Sequence, residues 1–246
     1  MTNGLLILFG ESFRFGGEGT RTRGVPESYD AQITAAKSHM RFIEHLSKQN
    51  INISVILSSY TTQYDKDICN IYKDTMIGSL FHKKLLNNTC QVSSVSKLIH
   101  NAIDYDNIHK YDFILCMRID IFLKDKFSYI FNPYSDKILF PAICWEKFCK
   151  IGNHPRNNDT MMFVPNKYFD IIKKINLGHK SWYDLVEVHK YNYEQIDTML
   201  KTYHDSDSAK DFNPIYYIVN RPQNNIHYTH KIFNKDTFGG IYKFLK

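Results

Sequence analysis

Arg118 and Asp120 stand two residues apart at the end of an apolar run, Ile114, Leu115, Cys116 and Met117, within the stretch KYDFILCMRIDIFLKD. An apolar run without alternation suits a central strand covered by helices on both faces. Side chains at the carboxyl end of such a strand emerge into the crevice where open α/β sheets bind ligands. An acid there can hold a divalent cation against a diphosphate. An arginine there can offer a fork of donors to phosphate oxygens, or orient the acid. The same two residues also make an ordinary ion pair at a strand end, so the pair alone leaves both readings open.

Other residues could join this chemistry. After an apolar opening at Leu5 to Phe9, the glycines Gly10, Gly16, Gly17, Gly19 and Gly24 interleave with Arg14, Arg21 and Arg23. The loop carries neither the GxGxxG fingerprint nor the GxxxxGK(S/T) phosphate loop, which argues against a dinucleotide dehydrogenase and a P-loop enzyme. Its glycines permit close approach of backbone to a ligand, and its arginines can neutralise a diphosphate; a solvated surface loop is the plainer reading. In HPRNNDTMMFVP, Asp159 precedes an apolar strand and can accept a hydrogen bond from a sugar hydroxyl or act as a base, although such turns are also rich in Asn and Asp for local reasons. Asp205 and Asp207 have the Asp-x-Asp spacing beside His204 and can converge on a cation in a loop, or merely favour a helix start. Asp65 and Asp67 share that spacing at the start of an expected helix and are assigned to capping. His230, near the end of the chain with His227, can complete a metal site begun by Asp120. Trp145 can stack on a sugar ring, a role that competes with the core packing usual for aromatic residues.

These residues need a scaffold. Apolar periodicity gives a strand at Leu5 to Phe9, a helix starting near Ser28 with Ile33, Ala36, Met40, Ile43 and Leu46 on its inner face, and a strand over NISVILSS. A helix over YDKDICNIYKDTM follows, then one over VSKLIHNAIDYDNI with Val95, Leu98, Ile99, Ala102 and Ile103 inward, leading into the strand that ends at Asp120. KILFPAICW and DTMMFVPN read as strands, YFDIIKKI and YEQIDTMLKTYH as helices. This alternation predicts an α/β sandwich, Rossmann-like, with a mainly parallel sheet flanked by helices and one antiparallel strand in the second half.

Composition agrees with a folded domain. The 246 residues are 43% hydrophobic and 15% aromatic, and no Pro-rich or Gly/Ser linker divides them, so one domain is expected over 1–246. The net charge of +6, from 31 basic and 25 acidic residues, suits anionic ligands, and its dispersed arginines and lysines argue against nucleic acid. The apolar opening stretch falls well short of the roughly 18 to 20 residues that span a bilayer, so it reads as a strand rather than a signal or membrane span. Five cysteines without a CxxC pair suggest free thiols and a reducing, cytoplasmic compartment. The sequons at Asn52, Asn87 and Asn158 are then chance matches.

Taken together, these residues resemble a nucleotide-sugar glycosyltransferase of the GT-A type, and the pattern looks like small glycosyltransferase-like proteins of large DNA viruses. The resemblance implies a GT-A-like single domain in which 1–125 bind the nucleotide and 126–246 the acceptor. Leu5 to Phe9 match the first strand, and Arg118, Ile119 and Asp120 match the acid motif, with Arg118 where the family has its first acid. By resemblance, Gly10, Arg14, Arg21, Arg118 and Asp120 bind the nucleoside diphosphate sugar. Asp120 and His230 hold Mn2+ or Mg2+, Asp159 or Asp207 is the base, and Trp145 and Asp205 meet a glycan or glycoprotein acceptor. If the chain is viral, the compartment is the host cytoplasm. A metal-dependent phosphate-ester hydrolase or nucleotidyltransferase, and an inactive GT-A-like binding protein, are the alternatives. Replacing Asp120 by asparagine is expected to abolish transfer and leave the fold intact.

Overall fold

A computed structural model describes residues 1–15, 22–83, 91–136, 138, 161–174 and 216–218. The chain opens with strand β1 (Thr2–Gly10) and a short antiparallel hairpin, β2 (Arg14–Phe15) and β3 (Thr22–Arg23). Helix α1 (Tyr29–Ser47), strand β4 (Ile51–Tyr60), helix α2 (Asp65–Tyr72), strand β5 (Met76–His82) and helix α3 (Gln91–Tyr105) follow. Next come β6 (Phe113–Arg118), β7 (Ile121–Leu123), α4 (Asp125–Ile130), β8 (Met161–Pro165), α5 (Phe169–Lys174) and β9 (Tyr216–Ile218).

Five strands form one sheet in the order β5-β4-β1-β6-β8. The first four are parallel, and β8 runs antiparallel to β6, pairing Met117 with Met161 and Phe113 with Pro165. This is the mixed α/β architecture, mainly parallel and flanked by helices, that the alternation of patterns predicts. β7 and β9 form a separate antiparallel pair.

The continuous apolar run of β1 has a simple cause. Leu5, Ile7 and Phe9 face α3, packing with Leu98, Ile99, Ala102 and Ile103, while Leu6 and Leu8 face the other layer with Phe42, Leu46, Ile68 and Tyr72. Each of the fully covered Leu, Ile and Phe side chains contributes on the order of 2 kcal/mol. A strand so clad must be central, and β1 lies between β4 and β6. From β1 the chain steps outward through β4 to β5, then crosses back by way of α3 to lay β6 on the opposite side of β1. The helices of the two excursions therefore lie on opposite faces, and a crevice opens between the carboxyl ends of β1 and β6.

The outer strand β5 is irregular. Val55 pairs with Met76 and Ile56 with Gly78, so Ile77 is an extra residue with no counterpart on β4. The Tyr105 ring lies across Gly78, where any Cβ would collide with it, and the Tyr105 hydroxyl donates to Ile77 O at 3.3 Å. Among the described residues no helix is long and apolar enough to cross a membrane. Cys69 and Cys116 are free thiols, and burial pushes Cys116 up to about 12, which leaves it inert at neutral pH.

Candidate active site at the carboxyl edge of the sheet

Two turns meet in the crevice between β1 and β6. On the β1 side, Gly10 takes φ +111°, a conformation that only glycine adopts without strain, and the space that a side chain would fill there is open. The Ser59 hydroxyl donates to Gly10 O (2.9 Å) and accepts from Ser12 N–H (3.2 Å), fastening the turn to β4. Phe13 is left-handed at φ +49°, and its surroundings hold it there. Its ring is buried against Tyr29 and Tyr64, its N–H donates to Gln32 Oε1 (3.1 Å), and its carbonyl accepts from Gly24 N–H (2.9 Å) and the Ser28 hydroxyl (2.8 Å). Arg14 follows directly.

On the β6 side, the polar stripe of α1 receives the chain as it leaves the sheet. Ile119 N–H donates to Phe9 O (2.8 Å), and Ile119 O accepts from Gln32 Nε2 (2.7 Å). Ile121 O accepts from His39 Nε2 (2.5 Å), and Leu123 N–H donates to the Ser38 hydroxyl (2.9 Å). Gln32 thus binds both turns at once, one residue away from Arg14 on one side and from Asp120 on the other.

The result is a buried ion cluster. Arg118 grips Asp120 with two parallel bonds, Nε to Oδ1 at 2.9 Å and Nη2 to Oδ2 at 2.6 Å. Arg14 Nη2 reaches the same Oδ2 at 3.2 Å. The side chains of Arg14, Arg118 and Asp120 are 4%, 9% and 2% exposed. Burial alone would push the Asp120 carboxyl up; Arg118 and then Arg14 more than reverse this and hold it below the usual carboxylate range. The three groups together carry one net positive charge. Both oxygens of Asp120 are engaged by guanidiniums, so this carboxylate does not fit the role of a cation ligand that the resemblance gives it.

Gly10, Arg14, Arg118 and Asp120, all singled out from sequence, are thus brought together at one edge. Arg23 stands beside them, with Nε 3.8 Å from Glu11 Oε1 and its guanidinium 5.0 Å from the centre of the Tyr60 ring. Arg23 Nη1 is buried with no hydrogen-bond partner among the described residues. Arg21, Trp145, Asp159, Asp205, Asp207 and His230 lie outside the described residues. Asp65 stays with its turn, accepting from Thr62 N–H and the Thr62 hydroxyl at the start of α2.

Gln32, Ser38 and His39 are absent from the expectations drawn on sequence. Ile33 and Met40 were expected inside α1; they are half-buried, whereas Gln32, Ser38 and His39 are buried. The signal was available in the spacing: Gln32 and His39 stand seven apart, on one helix face with Ala35, Ala36, Phe42, Ile43 and Leu46.

His39 makes a further expectation quantitative. Its ring donates to Ile121 O through Nε2, which leaves Nδ1 to accept from the Tyr72 hydroxyl at 2.7 Å, so the cage holds the neutral form. Burial lowers it from 6.5 to about 4, against the upward pull of the Ile121 carbonyl and of Asp120. The unfolded chain therefore binds a proton more readily than the folded one between these values. The stabilisation is complete above pH 6.5 and falls away as the pH drops toward 4, by roughly 3 kcal/mol. Urea unfolding across this window should show that loss, and His39→Gln should flatten it; an equally steep profile in the variant would assign the dependence to other groups.

No protein-family model matches the sequence, and no curated protein matches it. Solved structures do overlap it. A mutant of Drosophila β1,4-galactosyltransferase 7, in complex with manganese, UDP-Gal and xylobiose, is 11% identical over 69% of this chain and 51% of its own, with a TM-score of 0.35. The chain therefore spans about half the length of that protein. The galactosyltransferase LgtC, in complex with donor and acceptor sugar analogs, is 13% identical over 75% of this chain and 65% of its own, at 0.39. A glycosyltransferase involved in glycosylation of the major capsid of PBCV-1 is 12% identical over 70% and 64%, at 0.35.

Proposed function

We infer that the chain is a GT-A-like glycosyltransferase, which moves a sugar from a nucleoside diphosphate sugar to a hydroxyl of a glycan or glycoprotein. The observation that carries this reading is the pair of guanidiniums clamped on Asp120 where the parallel strands part, the position at which open α/β sheets take their ligands. As the glycosidic bond to the donor breaks, negative charge grows on the departing diphosphate. Positive groups fixed beside it beforehand stabilise that charge more than the ground state and need no reorganisation. Arg14 and Arg118 are held in this way, and Gly10 leaves room for the donor to approach the backbone. A divalent cation, when bound beside a diphosphate, supplies the same neutralisation.

In this reading residues 1–125 take the nucleotide, with Arg21 assisting, and 126–246 take the acceptor through Trp145 and Asp205. Asp159 or Asp207 removes the proton of the acceptor hydroxyl. The test is incubation with a panel of nucleoside diphosphate sugars, following both the melting temperature and release of nucleoside diphosphate. One donor should stabilise the fold and be consumed faster when a sugar acceptor is supplied. Release of phosphate or pyrophosphate with no dependence on acceptor would replace this reading with a hydrolase or nucleotidyltransferase, and binding without turnover with an inactive binding protein.

A further inference from the structure

The resemblance implies a cation at Asp120, yet that carboxylate is already committed. Its Oδ1 accepts from Arg118 Nε, and its Oδ2 is shared by Arg118 Nη2 and Arg14 Nη2. A cation entering there would have to displace these bonds while facing two fixed positive charges. An anion meets the opposite field. We propose that the Arg14–Asp120–Arg118 cluster is a diphosphate site that works through its guanidiniums, with no divalent cation at Asp120, whose task is to hold the two arginines in place. The proposal rests on the nucleotide-sugar reading above and adds the agent of charge neutralisation.

Three features of the site support it. The arginines are supplied by turns that Gln32 binds to each other, so their separation is set by the fold rather than by the ligand. The two-point grip of Arg118 on Asp120 uses the Nε and Nη2 edge and fixes the plane of its guanidinium, which leaves Nη1 on the edge away from the carboxylate; a planar group of fixed direction is the kind that matches phosphate oxygens. Arginine also stays charged across the neutral range, so both guanidiniums keep their charge without a metal. Asp120 is accordingly a positioning residue.

The experiment is calorimetric titration of the full chain with UDP, GDP and inorganic pyrophosphate, each in EDTA and in manganese. One nucleoside diphosphate should bind in EDTA within about threefold of its affinity in manganese. Arg118→Lys, which keeps the charge and loses the fork, should weaken it about tenfold, and Arg14→Lys should act in the same direction. Binding of pyrophosphate as tight as that of the nucleotide would make the site one for diphosphate alone and would overturn the donor assignment. Binding that appears only with manganese would overturn the proposal and leave the nucleotide-sugar reading standing, as would binding in EDTA that neither lysine variant alters. Absence of any nucleoside diphosphate binding would overturn both. Should the lysine variants fail to fold, manganese spin resonance on the native chain decides instead. The ion signal should stay that of free manganese when UDP is absent; a bound signal that Asp120→Asn removes would place the cation at Asp120 and overturn the proposal.

Discussion

Replacing Asp120 by asparagine should cost about 3 to 5 kcal/mol of stability, because it leaves two buried guanidiniums facing a neutral amide. On sequence alone this substitution removes a charge at a site rather than a core contact, and spares the fold. The structure changes that expectation, since the residue is 1% exposed and its carboxylate joins two turns. Urea unfolding of the two proteins measures the difference as a fall in the transition midpoint. Replacing Arg14, Asp120 and Arg118 together by apolar residues of similar size should recover much of the loss, because a buried charge cluster owes its cost of disruption to the groups left behind. That triple variant should still fail to bind a nucleoside diphosphate. An Asp120→Asn protein with an unchanged midpoint would mean that the cluster does not join the two turns.

Gln32→Leu should come close to this in size. Leucine fills a similar volume, but Phe13 N–H and Ile119 O would each lose a partner inside the protein. At about 1 to 3 kcal/mol for each orphaned group, the expected loss is roughly 4 kcal/mol. The substitution should also weaken donor binding, although Gln32 touches no ligand in this scheme, because Arg14 and Asp120 lie one residue beyond the groups it holds. Titration with a nucleoside diphosphate below the melting temperature of the variant separates the two effects. Native affinity in a folded Gln32→Leu protein would show that the turns keep their places without the amide.

The sequence was legible where burial imposes a simple pattern. The unbroken apolar run from Leu5 to Phe9 reads correctly as a strand, and the run from Ile114 to Met117 reads correctly as one covered on both faces. Val95, Leu98, Ile99, Ala102 and Ile103 read correctly as the inner face of α3 because their side chains all pack in the apolar core. The strand at Met161–Pro165 reads correctly from its apolar run, and its pairing with β6 meets the expectation of an antiparallel strand in the second half. Legibility failed where backbone groups needed side-chain partners. The inner face of α1 has to supply Gln32, Ser38 and His39 to the chain leaving β6, so the most apolar stripe, through Ile33 and Met40, is turned partly outward. The strand β5 is not legible because the helical pattern of YDKDICNIYKDTM runs on to Met76, and an extra residue at Ile77 and a glycine at Gly78 blur the alternation. Arg118 and Asp120 were legible as a pair through their spacing. Their partnership with Arg14 was not, since it depends on β1 and β6 lying side by side, a fact of topology that no local pattern carries.

The irregular outer strand has a consequence for how these molecules meet one another. A terminal strand in a parallel sheet normally offers a row of bare amides and carbonyls to any passing chain, and that row is a template for strand-by-strand accretion. In β5 the row is broken at Ile77, and the carbonyl exposed by the break is already capped by the Tyr105 hydroxyl, with the ring lying as a plate over Gly78. A second copy approaching this side finds the ladder interrupted at Ile77, while Gly78 to His82 continue in register. Among the described residues, the bulge thus shortens the stretch of this flank along which a foreign strand could add in register.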